Sequence, residues 1–392
     1  MVRREGMRGI SLLVILAAAC GSSSRPGDPA SRTSADGGAD SATVTARDGG
    51  APDGGAPDGA APDGGAPEGG TPAGNTSSAA SWFSPAMYFN QPVDTASVDA
   101  ESQTIIDNLV ANGGWGLGHI QVDFSIDVYY ASASSLQLPF SSAGVASPDS
   151  DTPMTVPVDP STAAGFESSS GKTCDGGDCH YLVVDAASAR LIEVYQAQAS
   201  GTQLGAMGGS VAIWSFARAY PASLRGDVCT SADASGGLMA PLLFSAEEVA
   251  AGHIDHAIRF ILPNSRIQNK QYVRPATHGT GGSTWAQTGG VPYGARLRLK
   301  PSFDGSKLSA GAQVVVAGLK KYGMILSDGG NIALTAKSDQ FSTTKWQNLL
   351  GSHDLEALVP DDFEMIDADY GTDAVSSSKR FDFTSYDCTR NP

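Results

Sequence analysis

Positive charge is scarce in this chain. Its 392 residues carry 25 Lys and Arg against 41 Asp and Glu, a formal net charge of −16 with His neutral. Phosphate backbones are held by clustered basic side chains, so this balance argues against a nucleic-acid partner. Familiar catalytic signatures are missing as well. There is no G-x-x-x-x-G-K-[ST] loop, no strand-linked G-x-G-x-x-G, no H-E-x-x-H and no G-x-S-x-G, which leaves nucleotide, zinc-peptidase and α/β-hydrolase chemistry without residues to carry it. The glycine-rich stretches 205–209 and 279–282 lack a following Lys-Ser/Thr and read as loops. Charged residues of either sign make up only 17%, whereas there are 47 Gly and 22 Pro; that mixture points to an extracellular chain with many turns and some linker.

What is present begins with an address. Arg3, Arg4 and Arg8 form a positive start, and 10–19 is an apolar run too short to cross a bilayer. The next residue is Cys20, and the run Leu16-Ala17-Ala18-Ala19-Cys20 resembles the lipobox of bacterial lipoproteins. That resemblance implies removal of 1–19, acylation of Cys20 and, with no Asp after the cysteine, delivery to an outer membrane. Each buried CH₂ contributes about 0.8 kcal/mol, so several acyl chains make a stable anchor without a membrane span. An ordinary secretory signal is the plainer alternative.

From 20 to 80 there is no periodic apolar pattern. A five-residue unit recurs instead: Ala51-Pro52-Asp53-Gly54-Gly55, Ala56-Pro57-Asp58-Gly59-Ala60, Ala61-Pro62-Asp63-Gly64-Gly65 and Ala66-Pro67-Glu68-Gly69-Gly70. Such a segment has too little apolar surface to offset its ordering entropy and is expected to be a disordered, extended spacer. Its Pro-containing units lack the ligand density of calcium-binding repeats. The globular domain is expected over 81–392.

Apart from Cys20, the cysteines are Cys174, Cys179, Cys229 and Cys388. An even number in an exported chain points to two disulfides, with three possible connectivities. Cys174 and Cys179 flank a turn-forming Asp-Gly-Gly-Asp and make a natural local pair, after which Cys229 to Cys388 would tether the C-terminal tail. Cys174, Cys179 and His180 could also ligate a soft metal, but no second cluster stands at zinc spacing, so neither metal nor cofactor is expected.

Periodicity places a helix at 101–111 and an alternating strand at 120–130 with Val122, Phe124, Ile126 and Val128 on one face. A hairpin is expected from 180–185 and 190–196. Ser245-Ala246-Glu247-Glu248 has the spacing of a capping box, opening a short helix that Gly252 closes. Strands follow at 254–262 and 291–300, then a helix at 310–322 capped by Ser309. Strands 324–328 and 332–336 are expected to form a hairpin across Gly329-Gly330-Asn331. A helix at 343–350 and a strand at 363–367 complete the domain. Many strands, few short peripheral helices and little βαβ rhythm argue for a mainly β fold, of β-sandwich or jelly-roll type.

Several residues invite a chemical reading. Glu193 lies mid-strand in Arg190-Leu191-Ile192-Glu193-Val194-Tyr195. Cleavage of a glycosidic bond needs two carboxylates about the scissile oxygen, and Asp185, Asp233, Asp328 and Glu364 are candidate partners. The plainer alternative pairs Glu193 with Arg296 or Arg298 on a solvated face. His256 shares a face with Ile254, Ile258 and Phe260 and reads as a core histidine, while Asp255 and Arg259 face the other way, to pair or to contact a polar ligand. His278, at a strand-to-loop exit, is the preferred catalytic histidine. Among Trp115, Trp214, Trp285 and Trp346, Trp285 sits beside Gly281-Gly282-Ser283 and is the best candidate for a sugar platform. Arg259, Arg296, Arg298, Asp328 and Glu364 are further candidate contacts.

The segments Gly252-His253-Ile254-Asp255-His256-Ala257-Ile258-Arg259-Phe260, Arg274-Pro275-Ala276-Thr277-His278, Pro292-Tyr293-Gly294-Ala295-Arg296-Leu297-Arg298-Leu299-Lys300 and Leu319-Lys320-Lys321-Tyr322-Gly323-Met324, with Asp328, resemble a group of secreted bacterial proteins of no assigned activity. The resemblance spans most of 82–368 and implies that this stretch is one unit. Taken together, the expectation is a cell-envelope lipoprotein whose β-rich domain acts on extracellular polysaccharide, as a glycoside hydrolase or as a non-catalytic glycan- or protein-binding module. Its oligomeric state is not legible.

Overall fold

A computed structural model describes residues 78–160, 167, 179–199, 202–281, 284–370, 377–385 and 387–390. The leader, Cys20, nearly all of the repeat-bearing segment and Cys174 lie outside them. Among the described residues there are eighteen strands and three α-helices. Up to residue 215 the chain holds β1 (Ser97–Val98), α1 (Ser102–Ala111), β2 (Val122–Ile126), β3 (Val128–Tyr130), β4 (Leu136–Ser141), β5 (Thr155–Val158), β6 (His180–Asp185), β7 (Arg190–Tyr195), β8 (Ala197–Ala199), β9 (Leu204–Ala206) and β10 (Val211–Ser215). Beyond it come α2 (Ala246–Ala251), β11 (Ile258–Leu262), β12 (Ile267–Tyr272), β13 (Val291–Tyr293), β14 (Arg296–Leu299), α3 (Ala310–Lys321), β15 (Met324–Gly329), β16 (Leu334–Lys337), β17 (Phe363–Asp367) and β18 (Phe381–Asp382). The fold is therefore mainly β.

Four sheets result. The largest has seven strands in the order β1-β17-β14-β15-β11-β16-β2, and two four-stranded sheets run β10-β7-β6-β3 and β5-β4-β9-β8. A three-stranded sheet is ordered β13-β12-β18. Parallel pairs occur in every one of them.

Alternation of side chains explains how the sheets share cores. Phe260, Leu297 and Leu326 of the seven-stranded sheet pack with Ile105 and Leu109 of α1, Val249 of α2 and Val315 and Leu319 of α3. Ile126, Ile325 and Ile366 lie in a second cluster with Leu182 and Val184 of β6, Leu191 of β7 and Trp214 of β10. The intervening residues Tyr181, Val183, Ile192 and Val194 join a third cluster with Val156, Val158 and Leu204. Strand β6 is thus covered on both faces, which is why its central residues 181–184 read as an apolar run.

Local signals behave as their chemistry dictates. Ser245 Oγ accepts from Glu248 N while the Glu248 carboxylate accepts from Ser245 N, closing a capping box on α2, and Gly252 ends that helix at φ 85°. Ser309 Oγ accepts from Ala312 N at the start of α3, and Gly323 at φ 68° stops it.

Four expectations change. The run 120–130 divides at Asp127: β2 pairs with β16 in the seven-stranded sheet, and β3 pairs with β6 in the next. The run 291–300 divides at Gly294, whose φ is 84° and where a Cβ would lie 1.9 Å from the Val273 carbonyl oxygen. Strands β15 and β16 do not form a hairpin, because β11 lies between them, with Arg259 opposite Ile325 and Phe260 opposite Leu334. Two strand spacings come to about 10 Å, a distance that four connecting residues span with ease. Residues 343–350 form turns in place of a helix, with Trp346 fixed by its amide to Asp339 Oδ2 and by its indole to the Lys337 carbonyl.

Candidate functional site

The interlayer between the seven-stranded sheet and the β10-β7-β6-β3 sheet holds a polar cluster. On β11, Ile258 and Phe260 point to the helices, so Arg259 points to the opposite side, toward the β10-β7-β6-β3 sheet. Thr335 on β16 follows the same logic, since Leu334 belongs to the helix side. On β6 and β7, Leu182 and Leu191 face the seven-stranded sheet. Period two therefore aims His180 and Glu193 into the same interlayer as Arg259.

Arg259 organises the centre. Its Nη2 donates to Asp233 Oδ1 at 2.9 Å and to Asp328 Oδ2 at 3.2 Å, and its Nη1 donates to Thr335 Oγ1 at 3.1 Å. Two carboxylate oxygens on one nitrogen are separated by at most about twice a hydrogen-bond length. Burial works against the Arg259 charge, but the flanking Asp233 and Asp328 raise its pKa overall. Asp328 also accepts from Gly329 N. Burial pushes the Asp328 carboxyl well above the usual carboxylate range, against the pull of Arg259 and with the help of Asp233. Its side chain retains 12% exposure, whereas that of Asp233 has none. The second oxygen of Asp233 and the Nε of Arg259 are buried with no hydrogen-bond partner among the described residues.

Asp233 hangs from the connection between β10 and α2. Ser231 Oγ donates to the Asp233 carbonyl and accepts from its amide, and Ser235 N donates to the Ser327 carbonyl beside Asp328. Gly236 has φ 78°, and a Cβ there would lie 2.2 Å from Thr277 Oγ1. The disulfide between Cys229 and Cys388 holds the middle of this connection, four residues before Asp233. Of the second expected bridge, Cys179 is buried beside β6 and Cys174 lies outside the described residues.

His180 presents Nδ1 to Glu167 Oε2 at 2.7 Å and Nε2 to the Ala232 carbonyl at 3.2 Å. At Glu167 burial favours the neutral acid, yet His180 and Arg259 outweigh it and lower the pKa. Asp123, opposite Thr335 in the β2–β16 register, is raised by burial.

Glu193, expected as a catalytic carboxylate, is wholly buried. Oε1 accepts from the amides of Met239 and Ala240 and Oε2 from the Trp214 indole, so the group positions the segment that follows Asp233. Burial raises its pKa to about 7, against those three donors. It pairs with neither Arg296 nor Arg298. Asp185 lies at the far end of β6, accepting from Ser188 N and Arg190 Nε. His278 packs on Phe383, and burial lowers its pKa to about 4. Trp285 is buried against Tyr293 instead of standing open.

Arg296 donates to the carbonyls of Tyr88, Gln91 and Tyr322. Arg298 donates to Glu364 and to the carbonyls of Val93 and Ala96. Both arginines are core fasteners, not surface contacts, and Glu364 is part of the second. Asp233, Arg259 and Asp328 are thus the sequence candidates that the fold assembles. Asp123, Glu167 and His180 were not singled out as members of a carboxylate site: Asp123 lies on the polar face of an alternating strand, Glu167 lies outside any strand and His180 opens β6, so none of them stands out locally.

A separate open cleft of about 800 Å³ is built from other elements, with Glu101, Gln268, Gln271, Gln287, Arg380 and Asp382 on its walls. Comparison of the chain with family models, curated proteins and solved structures finds no match.

Proposed function

We propose that this chain is an outer-membrane lipoprotein, anchored through Cys20, whose domain cleaves glycosidic bonds of extracellular polysaccharide at the Asp233–Arg259–Asp328 cluster. The observation that carries the reading is the convergence of two buried carboxylates on one guanidinium nitrogen. Asp328, raised by burial and reaching solvent at its edge, is the proton donor to the leaving oxygen. Asp233, with one oxygen on Arg259 and the other without a partner among the described residues, is the second carboxylate. Their closeness fits a double displacement, in which Asp233 attacks the anomeric carbon and Asp328 later takes a proton from the water that releases the sugar. Because the Asp233 side chain is closed to solvent, the reading requires its loop to open for substrate. The packing of the seven-stranded sheet on the β10-β7-β6-β3 sheet through a shared apolar cluster supports a β-sandwich of jelly-roll type as the frame.

The purified full chain, tested on a panel of polysaccharides, is expected to release reducing ends from at least one of them. Asp328→Asn and Asp233→Asn should each lower that rate by about 10²- to 10⁴-fold while glycan binding persists. Undiminished release by folded variants would remove these residues from the chemistry. Binding without any release supports a second reading, a non-catalytic glycan-binding module. The amide-lined cleft favours it, since Gln268, Gln271 and Gln287 offer donors and acceptors suited to sugar hydroxyls.

A further inference from the structure

A second group of side chains stands apart from the carboxylate cluster and belongs to different elements. His119 lies in the connection from α1 to β2, and His353 and Glu356 lie three residues apart on the turn that precedes β17. His353 Nδ1 is 2.6 Å from Glu356 Oε1, His119 Nε2 is 3.5 Å from the same oxygen, and the three residues each offer one ligand atom within 4.8 Å of the other two. His119 Nε2 is screened from solvent and has no hydrogen-bond partner among the described residues.

We propose that His119, His353 and Glu356 form a binding site for a divalent first-row transition ion of the zinc class. Two imidazole nitrogens and one carboxylate oxygen are borderline ligands, suited to such an ion and not to calcium or magnesium, which prefer all-oxygen shells. Metal–ligand bonds of about 2.0–2.1 Å in a tetrahedron place ligand atoms about 3.3–3.4 Å apart. The His119–Glu356 edge, at 3.5 Å, is already close to that length. The His353–Glu356 edge is a hydrogen bond that opens by less than about 1 Å to admit the ion. Side-chain exposures of 33% for His119, 56% for His353 and 48% for Glu356 leave a fourth position facing water.

The ligands are held in place by backbone that the core fixes. Ile120 and Leu355, each beside or between ligands, are wholly buried. Val122 N donates to the Ser352 carbonyl at 2.9 Å, and the Trp115 indole donates to the Leu358 carbonyl at 2.8 Å, so the two ligand-bearing segments are joined on both sides of the triad. Arg266 adds bonds to the carbonyls of Asn112, Gly114 and Trp115. An ion bound here bridges two segments more than 230 residues apart and favours the folded state by mass action.

The test uses the full chain without a polyhistidine tag, stripped with EDTA, dialysed and titrated with zinc chloride by calorimetry. One ion per chain is expected, with a higher unfolding temperature when zinc is in excess. Substitution by cobalt should give the intense visible bands of a four-coordinate ion. His119→Ala and His353→Ala should each weaken binding at least tenfold and abolish the thermal shift, with the metal-free unfolding temperature unchanged. His253→Ala is the control, because His253 pairs with Asp255 at 2.8 Å on the surface with no third ligand among the described residues. Absence of saturable binding, or binding that survives the double variant His119→Ala/His353→Ala, overturns the site. Neither result bears on the glycan-cleaving reading, which rests on other residues.

Discussion

Glu193 is caught between two opposed demands. Its three N–H donors favour the carboxylate, whereas its surroundings disfavour charge, and burial prevails with a pKa of about 7 in place of 4.5. An acid whose pKa is higher folded than unfolded contributes stability that is complete below about 4.5 and is lost as pH rises through about 7. Urea unfolding of the wild type should therefore weaken across that interval by more than it does in Glu193→Gln, the difference being on the order of 3 kcal/mol. At low pH the variant should be the less stable, by about 1–3 kcal/mol, since its amide turns an N–H toward the Trp214 donor. Parallel pH profiles for the two proteins would refute this account. The residue was legible in the sequence as an anomaly, a carboxylate among β-branched neighbours. Its partners were not, because the amides of Met239 and Ala240 reach it from a loop more than forty residues away.

At the scale of elements, short-range chemistry was the most readable part of the chain. The capping box of α2, the Ser309 cap of α3 and the β6–β7 hairpin arise from contacts within a few residues and stand where their spacing placed them. Ser245→Ala tests how much one such device contributes. It removes an acceptor for Glu248 N and a donor to the Glu248 carboxylate, whose other oxygen lies 3.1 Å from His256 Nε2. The expected loss is about 1–2 kcal/mol, read as a lower urea midpoint with an unchanged slope. A midpoint shift equivalent to only a few tenths would mean that the cap is dispensable. Strand partners were less readable. Alternation in 120–130 specifies a pleat and its two faces, but β2 and β3 join different sheets, and pleating carries no information about which neighbour supplies the hydrogen bonds.

At the scale of the molecule, the Cys229–Cys388 disulfide closes a loop with a sequence separation of 159 and ties the C-terminal tail to the connection that bears Asp233. The double variant Cys229→Ser/Cys388→Ser, which leaves Cys179 untouched, should lose about 2–5 kcal/mol of stability in denaturant unfolding. Equal stability with and without the bridge would show that the sheets alone hold the tail. The interlayer has a comparable dependence on distant parts. Arg259 comes from one sheet, Glu193 from another and Asp233 from a loop, and only their packing brings them to one place.

The sequence by itself determined the β-rich character and the helix boundaries set by Ser and Gly, because periodicity and capping act over short range; cysteine parity pointed to disulfides, and the structure chose Cys229–Cys388 from the open pairings. Only the tertiary structure decided that β11 separates β15 from β16, that Arg296 and Arg298 serve the core, and that Asp233 and Asp328 meet on Arg259. Those outcomes depend on which apolar faces bury each other, a many-body choice that leaves no mark at any single position.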